Sequence, residues 1–298
     1  MLASMLSASQ RYTATPESQF KLELLHHPIF RHSGNGRSSQ KSWQLAVDWL
    51  KQQRRFRHWE TTLALPEPDT PFGIENFLEH TVQAYAHQHC PQQSVCAWVD
   101  HTPHNLRHAF HFAQWFPNVH FIHIIRDGRA VAASQLPLSW GTNNILTAAN
   151  NWSKTVGIGL AAELAMPQRV SRVRFEDLVA QPEIQLRRLC NESGLKYESA
   201  MTQGGGFQAP VYTRNQHRLV KDAPLSSRAE GWKAKLSPRQ IELFESQTAD
   251  LLPLLGYVKE YGLHARGPKK SEKWWLSLQA TAKRRFRDSW IKNFRNLK

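Results

Sequence analysis

Apolar positions recur along this chain at two different spacings, and the changes of spacing mark its elements. Residues 2 to 8 alternate apolar and small groups at helical spacing. Residues 40–58 put Trp43, Ala46, Val47 and Leu50 on one face and basic groups on the other, a helix of period 3.6. "PFGIENFLEHTVQAYAHQH" predicts a further helix with Pro71 near its start. The next segment has strand character. "SVCAWVD" (94–100) and "VHFIHII" (119–125) are short apolar runs that predict buried strands, as does "RVSRVRF" (169–175). Helices are predicted between and after them. One is 102–116, with Thr102 as N-cap and Pro103 at the first helical position. The others begin at "GRAVAASQ", span 142–166, and run through "PEIQLRRLCNESG" to a stop at Gly194. Alternating strands and helices predict an α/β fold with a parallel, doubly wound sheet. Residues 200–225 read as an irregular loop, and 237–257 as a last helical segment of one domain over 1–258.

Composition narrows the partners more than the fold. The 298 residues are 41% hydrophobic with 11 tryptophans, which fits a packed globular protein. A formal charge of +14 points to an anionic partner: nucleotide, sulfated or phosphorylated substrate, nucleic acid or membrane surface. Cys90, Cys96 and Cys190 lack zinc spacing and leave one thiol over in any disulfide scheme, which fits a reduced, cytoplasmic-facing protein. No run of 18 apolar residues is present. The first residues carry no basic segment ahead of an apolar core, so they do not read as a signal peptide.

The chemistry concentrates at "HFIHIIRDGRAVAAS" (120–134). In a parallel sheet, ligands gather at the carboxyl ends of strands, and the run delivers Arg126 to such an end. The following helix offers backbone N–H groups and a positive dipole end. Gly128 permits close backbone approach, and Ser134 lies two turns on. Together they suit a phosphate dianion. The competing reading is an exposed ion-pair corner in which Arg126 or Arg129 binds Asp127.

These residues resemble the PAPS-dependent sulfotransferases, in particular the branch with tyrosylprotein and bacterial members. The resemblance runs over about residues 2 to 257 through four stretches in order: "VDHTPHNL", "FIHIIRDGRAVAAS", "RVRFEDLVAQPEIQLRRLCNESGL" and "SSRAEGWKAKLS". It implies a P-loop-NTPase-like parallel sheet flanked by helices, and sulfuryl transfer from PAPS to a hydroxyl or amine, with no metal. It assigns Arg126 and Ser134 to the 3′-phosphate of the nucleotide. Glu17, in "TPESQF", matches the catalytic glutamate; without the resemblance it reads as a helix first-turn charge after Pro16. His101 stands where the family has lysine, and a histidine is a cation only part of the time near neutral pH. Phe175 replaces a tyrosine and lines the nucleotide pocket in this reading. Ser227 and Arg228, with Asn215 and Gln216 as further candidates, align loosely with nucleotide-contacting loops. Trp152 reads as core, and Glu176 and Asp177 as strand-end and cap groups. The family's first strand and 5′-phosphosulfate loop would end about where Met1 stands. The resemblance therefore implies an incomplete chain or one that has lost the cradle, with poor activity for the sequence as written. The alternative function is a noncatalytic basic protein of this fold that binds nucleic acid or an anionic glycan.

From 259 onward a basic helical extension is expected. Residues 266–298 hold eleven Lys/Arg and two acidic residues, a net +9. Trp275, Leu278, Ala282, Phe286, Trp290, Phe294 and Leu297 form one apolar stripe at three- and four-residue steps. Three partners fit it: this protein's own domain or a second copy, an anionic membrane surface, or an acidic protein or polyanion.

Overall fold

A computed structural model describes residues 1–31, 39–92, 94–103, 105–138, 141–206 and 230–295, with side-chain environments to 283. In chain order the elements are α1 (Leu2–Leu6), β1 (Tyr12–Ala14), α2 (Lys21–Leu24), α3 (Pro28–Arg31), α4 (Ser39–Gln52), α5 (Arg54–Arg57), α6 (Ile74–His89) and β2 (Ala97–Val99). There follow α7 (Ala109–Trp115), β3 (Phe121–Ile125), α8 (Gly128–Gln135), α9 (Ile145–Ala165), β4 (Val170–Arg174), α10 (Phe175–Ala180) and α11 (Pro182–Glu192). The last are α12 (Pro238–Gln247), α13 (Leu251–Leu254) and α14 (Lys270–Arg295). The fold is α/β, with parallel strands flanked by helices, as the spacing predicts.

The chain forms two compact units, Met1–Phe121 with Gln181–Pro224, and Ile122–Ala180 with Leu225–Lys298. In the first, β1 pairs parallel with β2 in the register Tyr12↔Ala97, Thr13↔Trp98, Ala14↔Val99. Its core gathers Phe20, Trp43, Trp59 and Phe77, each at most 1% exposed. The predicted face of α4 is the one that is buried: Trp43, Ala46, Val47 and Leu50 all point inward. Phe20 meets Phe56 and Trp59 edge-on, which anchors the turn before α2. β1 is a strand the sequence pattern did not mark. The helix expected over 102–116 is also corrected, because a 3₁₀ turn at Asn105–His108 precedes α7. Thr102 does not cap it; its Oγ1 accepts instead from Ser18 N (2.8 Å). α11 starts on Pro182 and stops before Gly194 (φ +70), as expected.

In the second unit β3 pairs with β4. Its core packs Ile125, Trp152, Trp232, Phe244 and Tyr257. Asp127 caps α8, accepting from Arg129 N (2.8 Å), and Asn144 caps α9, accepting from Thr147 N (2.9 Å). Ser237 and Gln240 form a reciprocal capping box on α12. α14 joins this unit through one edge. Glu272 accepts from Arg239, the Leu276 carbonyl accepts from Asn144 Nδ2 (3.1 Å), and Lys283 Nζ donates to the Leu136 carbonyl (2.7 Å). That edge is not the stripe read from the sequence: Trp275 and Leu278 stay 58% and 44% exposed. No helix among the described residues is long and apolar enough to cross a membrane.

Candidate functional site

The strand-to-helix corner after β3 answers which arginine is paired. Arg129 is 2% exposed and fully engaged. Its Nε and Nη2 donate to Asp127 Oδ1 (3.1 Å) and Oδ2 (2.7 Å), and Nη1 donates to Glu245 Oε1 (2.7 Å). Its guanidinium lies 4.1 Å from the centroid of the Trp232 ring. Glu245 uses its remaining capacity on Glu260 N and Tyr261 N (2.9 Å each). Arg129 therefore forms the ion pair that sequence left open, but buried rather than exposed, and its task is architectural.

Arg126 shares the aromatic stacking and differs in its exposure and its pairing. It is half-buried, and its guanidinium stacks 4.4 Å from the centroid of Phe175. Its Nε is buried and has no hydrogen-bond partner among the described residues. Burial pushes the Arg126 pKa down, against the pull of Glu176 and Asp127. Arginine nevertheless keeps its charge. A desolvated cation with an orphaned N–H is costly unless something anionic completes it.

The frame around this arginine is held rigidly. The Arg126 carbonyl accepts from Trp152 Nε1 (3.1 Å), so Trp152 is a core residue with a positioning bond, as expected. Glu176 accepts from Asp127 N (3.0 Å) and from Tyr257 Oη (2.9 Å). Burial first, then the Glu176 charge, pushes the Tyr257 phenol up, so it stays a donor. Two backbone donors expected to face a ligand are thus spent internally, Asp127 N on Glu176 and Arg129 N on Asp127. Gly128 also serves the interior. A Cβ there would meet Phe244 at 2.5 Å and Trp152 at 2.6 Å. Ser134 is exposed on α8, and its Oγ donates back to the Val131 carbonyl (2.7 Å), a local bond common for helix serines. Arg126 and Phe175 are brought together; Ser134 stands two turns along the helix.

The first unit holds Glu17 and His101. Glu17 is half-buried, its Oε2 accepts from Gln19 Nε2 (2.8 Å), and its carbonyl accepts from Trp59 Nε1 (3.4 Å). It precedes α2 by four residues, so the first-turn reading of its charge is corrected. His101 is exposed on the turn after β2. Between them lies a cluster that the sequence reading missed. Lys21, with its side chain 3% exposed, pairs with Asp100 Oδ2 and donates to Ser18 Oγ (2.8 Å). Ser18 Oγ donates to Asp100 Oδ2 (2.6 Å), and Thr102 N donates to Asp100 Oδ1 (2.8 Å). Lys21 Nζ also lies 5.1 Å from the Phe112 ring centroid. Burial works against the Asp100 charge, but Lys21 and these hydrogen bonds hold its pKa at about 2. The cluster ties the segment bearing Glu17 to the turn bearing His101. One signal was available: Lys21 sits three residues before the fully buried Leu24 on a short helix, facing the core. Ser227, Arg228, Asn215 and Gln216 lie outside the described residues.

Comparison with known proteins bears on this geometry. The model of the sulfotransferase family, Sulfotransfer_3, matches residues 1–199. Mouse carbohydrate sulfotransferase 7 is 34% identical over 115 residues, covering 36% of this chain and 23% of that protein. Zebrafish protein-tyrosine sulfotransferase 1 is 23% identical over 167 residues, covering 52% of this chain and 46% of that protein. The chain thus spans under half the length of these curated relatives. Among solved structures, the sulfotransferase domain from the curacin biosynthetic pathway aligns with a TM-score of 0.55 at 16% identity, covering 86% of this chain and 93% of that one. The sulfotransferase domain of the Synechococcus PCC 7002 olefin synthase aligns at 0.56 and 18%, covering 86% and 90%. Those likenesses speak for the fold, and the family match, over two-thirds of the sequence, speaks for descent: the chain belongs to the sulfotransferase family.

Proposed function

We propose that the chain transfers a sulfuryl group from PAPS to a hydroxyl or amine acceptor. A sugar or tyrosine hydroxyl, of the kind named in its relatives, is the first choice. The observation that carries this reading is Arg126, a stacked, half-buried cation whose Nε lacks a partner among the described residues, near an arginine paired with two carboxylates. That donor fits a phosphate dianion. PAPS supplies the sulfuryl group and leaves as the adenosine bisphosphate. Arg126 binds the 3′-phosphate, Ser134 turns its hydroxyl from Val131 toward it, and Phe175 supports the guanidinium plane. Glu17 accepts the acceptor's proton as attack proceeds, with its backbone fixed by Trp59 and by the Lys21–Asp100 cluster. His101 donates a hydrogen bond. These assignments need no metal ligand.

Retention on immobilised adenosine 3′,5′-bisphosphate tests the reading. Arg126→Ala is expected to weaken it by about tenfold to a hundredfold, the range of a charge-assisted hydrogen bond. Ser134→Ala should weaken it less. Retention equal to wild type in Arg126→Ala overturns the assignment. Salt-sensitive binding to any DNA duplex, indifferent to that substitution, would favour the noncatalytic basic binder instead.

A further inference from the structure

The function above does not use α14, although α14 belongs to a segment carrying most of the chain's charge excess. Its docked edge is settled by Glu272, Leu276 and Lys283, which recur at four and seven residues and bond to Arg239, Asn144 and Leu136. The opposite side faces water. Trp274 is 65% exposed, Trp275 58% and Leu278 44%. Trp274 and Leu278, one turn apart, share a face, and Lys270 and Lys273 beside them are exposed. Two neighbouring tryptophans in solvent, on a helix held in place by its other edge, call for an occupant.

We propose that this face of α14 seats the protein on an anionic lipid surface. Charge complementarity is the first argument: residues 266–298 carry a net +9, so a negatively charged leaflet attracts the segment as a whole. The second is chemical. Tryptophan and leucine beside lysine match the boundary between headgroups and acyl chains, where indole rings settle while lysine heads remain among phosphates. A polyanion without aromatic rings, such as heparin, would satisfy the cations and leave the tryptophans in water. The docked edge supplies the third: bonds from Arg239, Asn144 and Lys283 fix the helix lengthwise, so the apolar face needs no refolding to meet a plane.

Flotation of the full chain with vesicles gives the test. Wild type is expected to float with vesicles containing phosphatidylserine and not with phosphatidylcholine alone. Its tryptophan emission should shift to the blue on binding. Trp274→Ala with Trp275→Ala should reduce the floated fraction about tenfold, in line with the apolar area withdrawn. Lys270→Glu with Lys273→Glu should also weaken it. Neither pair touches the docked edge, and unchanged circular dichroism confirms the fold. Three results overturn the proposal: no flotation; flotation indifferent to the tryptophan pair and abolished by heparin, which assigns a polyanion; or a dimer in light scattering lost in the tryptophan variant, which assigns a second copy. None depends on sulfuryl transfer, so this inference and the catalytic reading fail separately.

Discussion

Replacing Lys21 with methionine removes a cation from a place where water cannot substitute for it. The Lys21 and Asp100 side chains are 3% and 15% exposed. Asp100 is held at about 2 against its ordinary 3.8, and at about 1.4 kcal/mol per unit that is about 2–3 kcal/mol of stabilisation of the carboxylate. The lysine bears the opposing cost, since burial pushes its ammonium down more than Asp100 lifts it. The two effects oppose each other in the intact pair, whereas breaking it strands a buried carboxylate at a cost of about 3–5 kcal/mol. Ser18 Oγ and Thr102 N still donate to Asp100 in the variant, which sets the expectation for Lys21→Met near the low end, about 3 kcal/mol. Adding Asp100→Asn removes the stranded charge and should recover all but about 1 kcal/mol. Urea unfolding followed by tryptophan fluorescence measures both. The pH dependence has a definite sign. In wild type the Asp100 contribution is complete above its unfolded value of 3.8 and is lost as pH falls through about 2. In Lys21→Met, burial is opposed only by the Ser18 and Thr102 bonds and the Asp100 carboxyl titrates higher, so the penalty shrinks as acid neutralises it. The gap between the two proteins thus narrows on acidification. A gap under about 1 kcal/mol at pH 7, or a double variant no better than the single, refutes the reasoning.

Arg129→Met should cost about 3–5 kcal/mol by thermal or urea unfolding, because it strands Asp127 and Glu245 together. Arg126→Met, three residues away, should leave stability unchanged or raise it by up to about 1 kcal/mol, since it removes an orphaned N–H and puts a thioether where the guanidinium stacked on Phe175. Gly128→Ala should destabilise by about 1–3 kcal/mol, as its Cβ would stand 2.5 Å from Phe244; a neutral result would mean that the ring yields freely. Glu17→Gln should slow sulfation of a hydroxyl acceptor by about a hundredfold or more while leaving retention on adenosine bisphosphate unchanged. A loss of retention instead would move Glu17 from proton transfer to nucleotide binding.

The contrast between Arg126 and Arg129 shows why the fold was easier to read than the site. Trp43, Ala46, Val47 and Leu50 announce the inner face of α4 through their own spacing, and that spacing is complete within four turns. β1 escaped because three residues, Tyr12 to Ala14, give too few alternations to distinguish a strand, and all three are buried. Thr102 looked like an N-cap, yet its hydroxyl accepts from Ser18, 84 residues earlier, and α7 starts at Ala109. The same distance effect governs the charges. Both arginines flank Asp127 and are locally equivalent; Glu245, 116 residues beyond Arg129, breaks the tie. Lys21 meets Asp100 79 residues away, so no window around either residue contains the pair. On α14 the apolar stripe was visible, but the docked edge was chosen by Arg239, Asn144, Leu136 and Leu276, leaving Trp275 and Leu278 in water. Periodicity reports what a segment can bury. Which charge is spent on structure and which is left for a ligand depends on partners that only folding brings near, and here that difference separates Arg126 from Arg129.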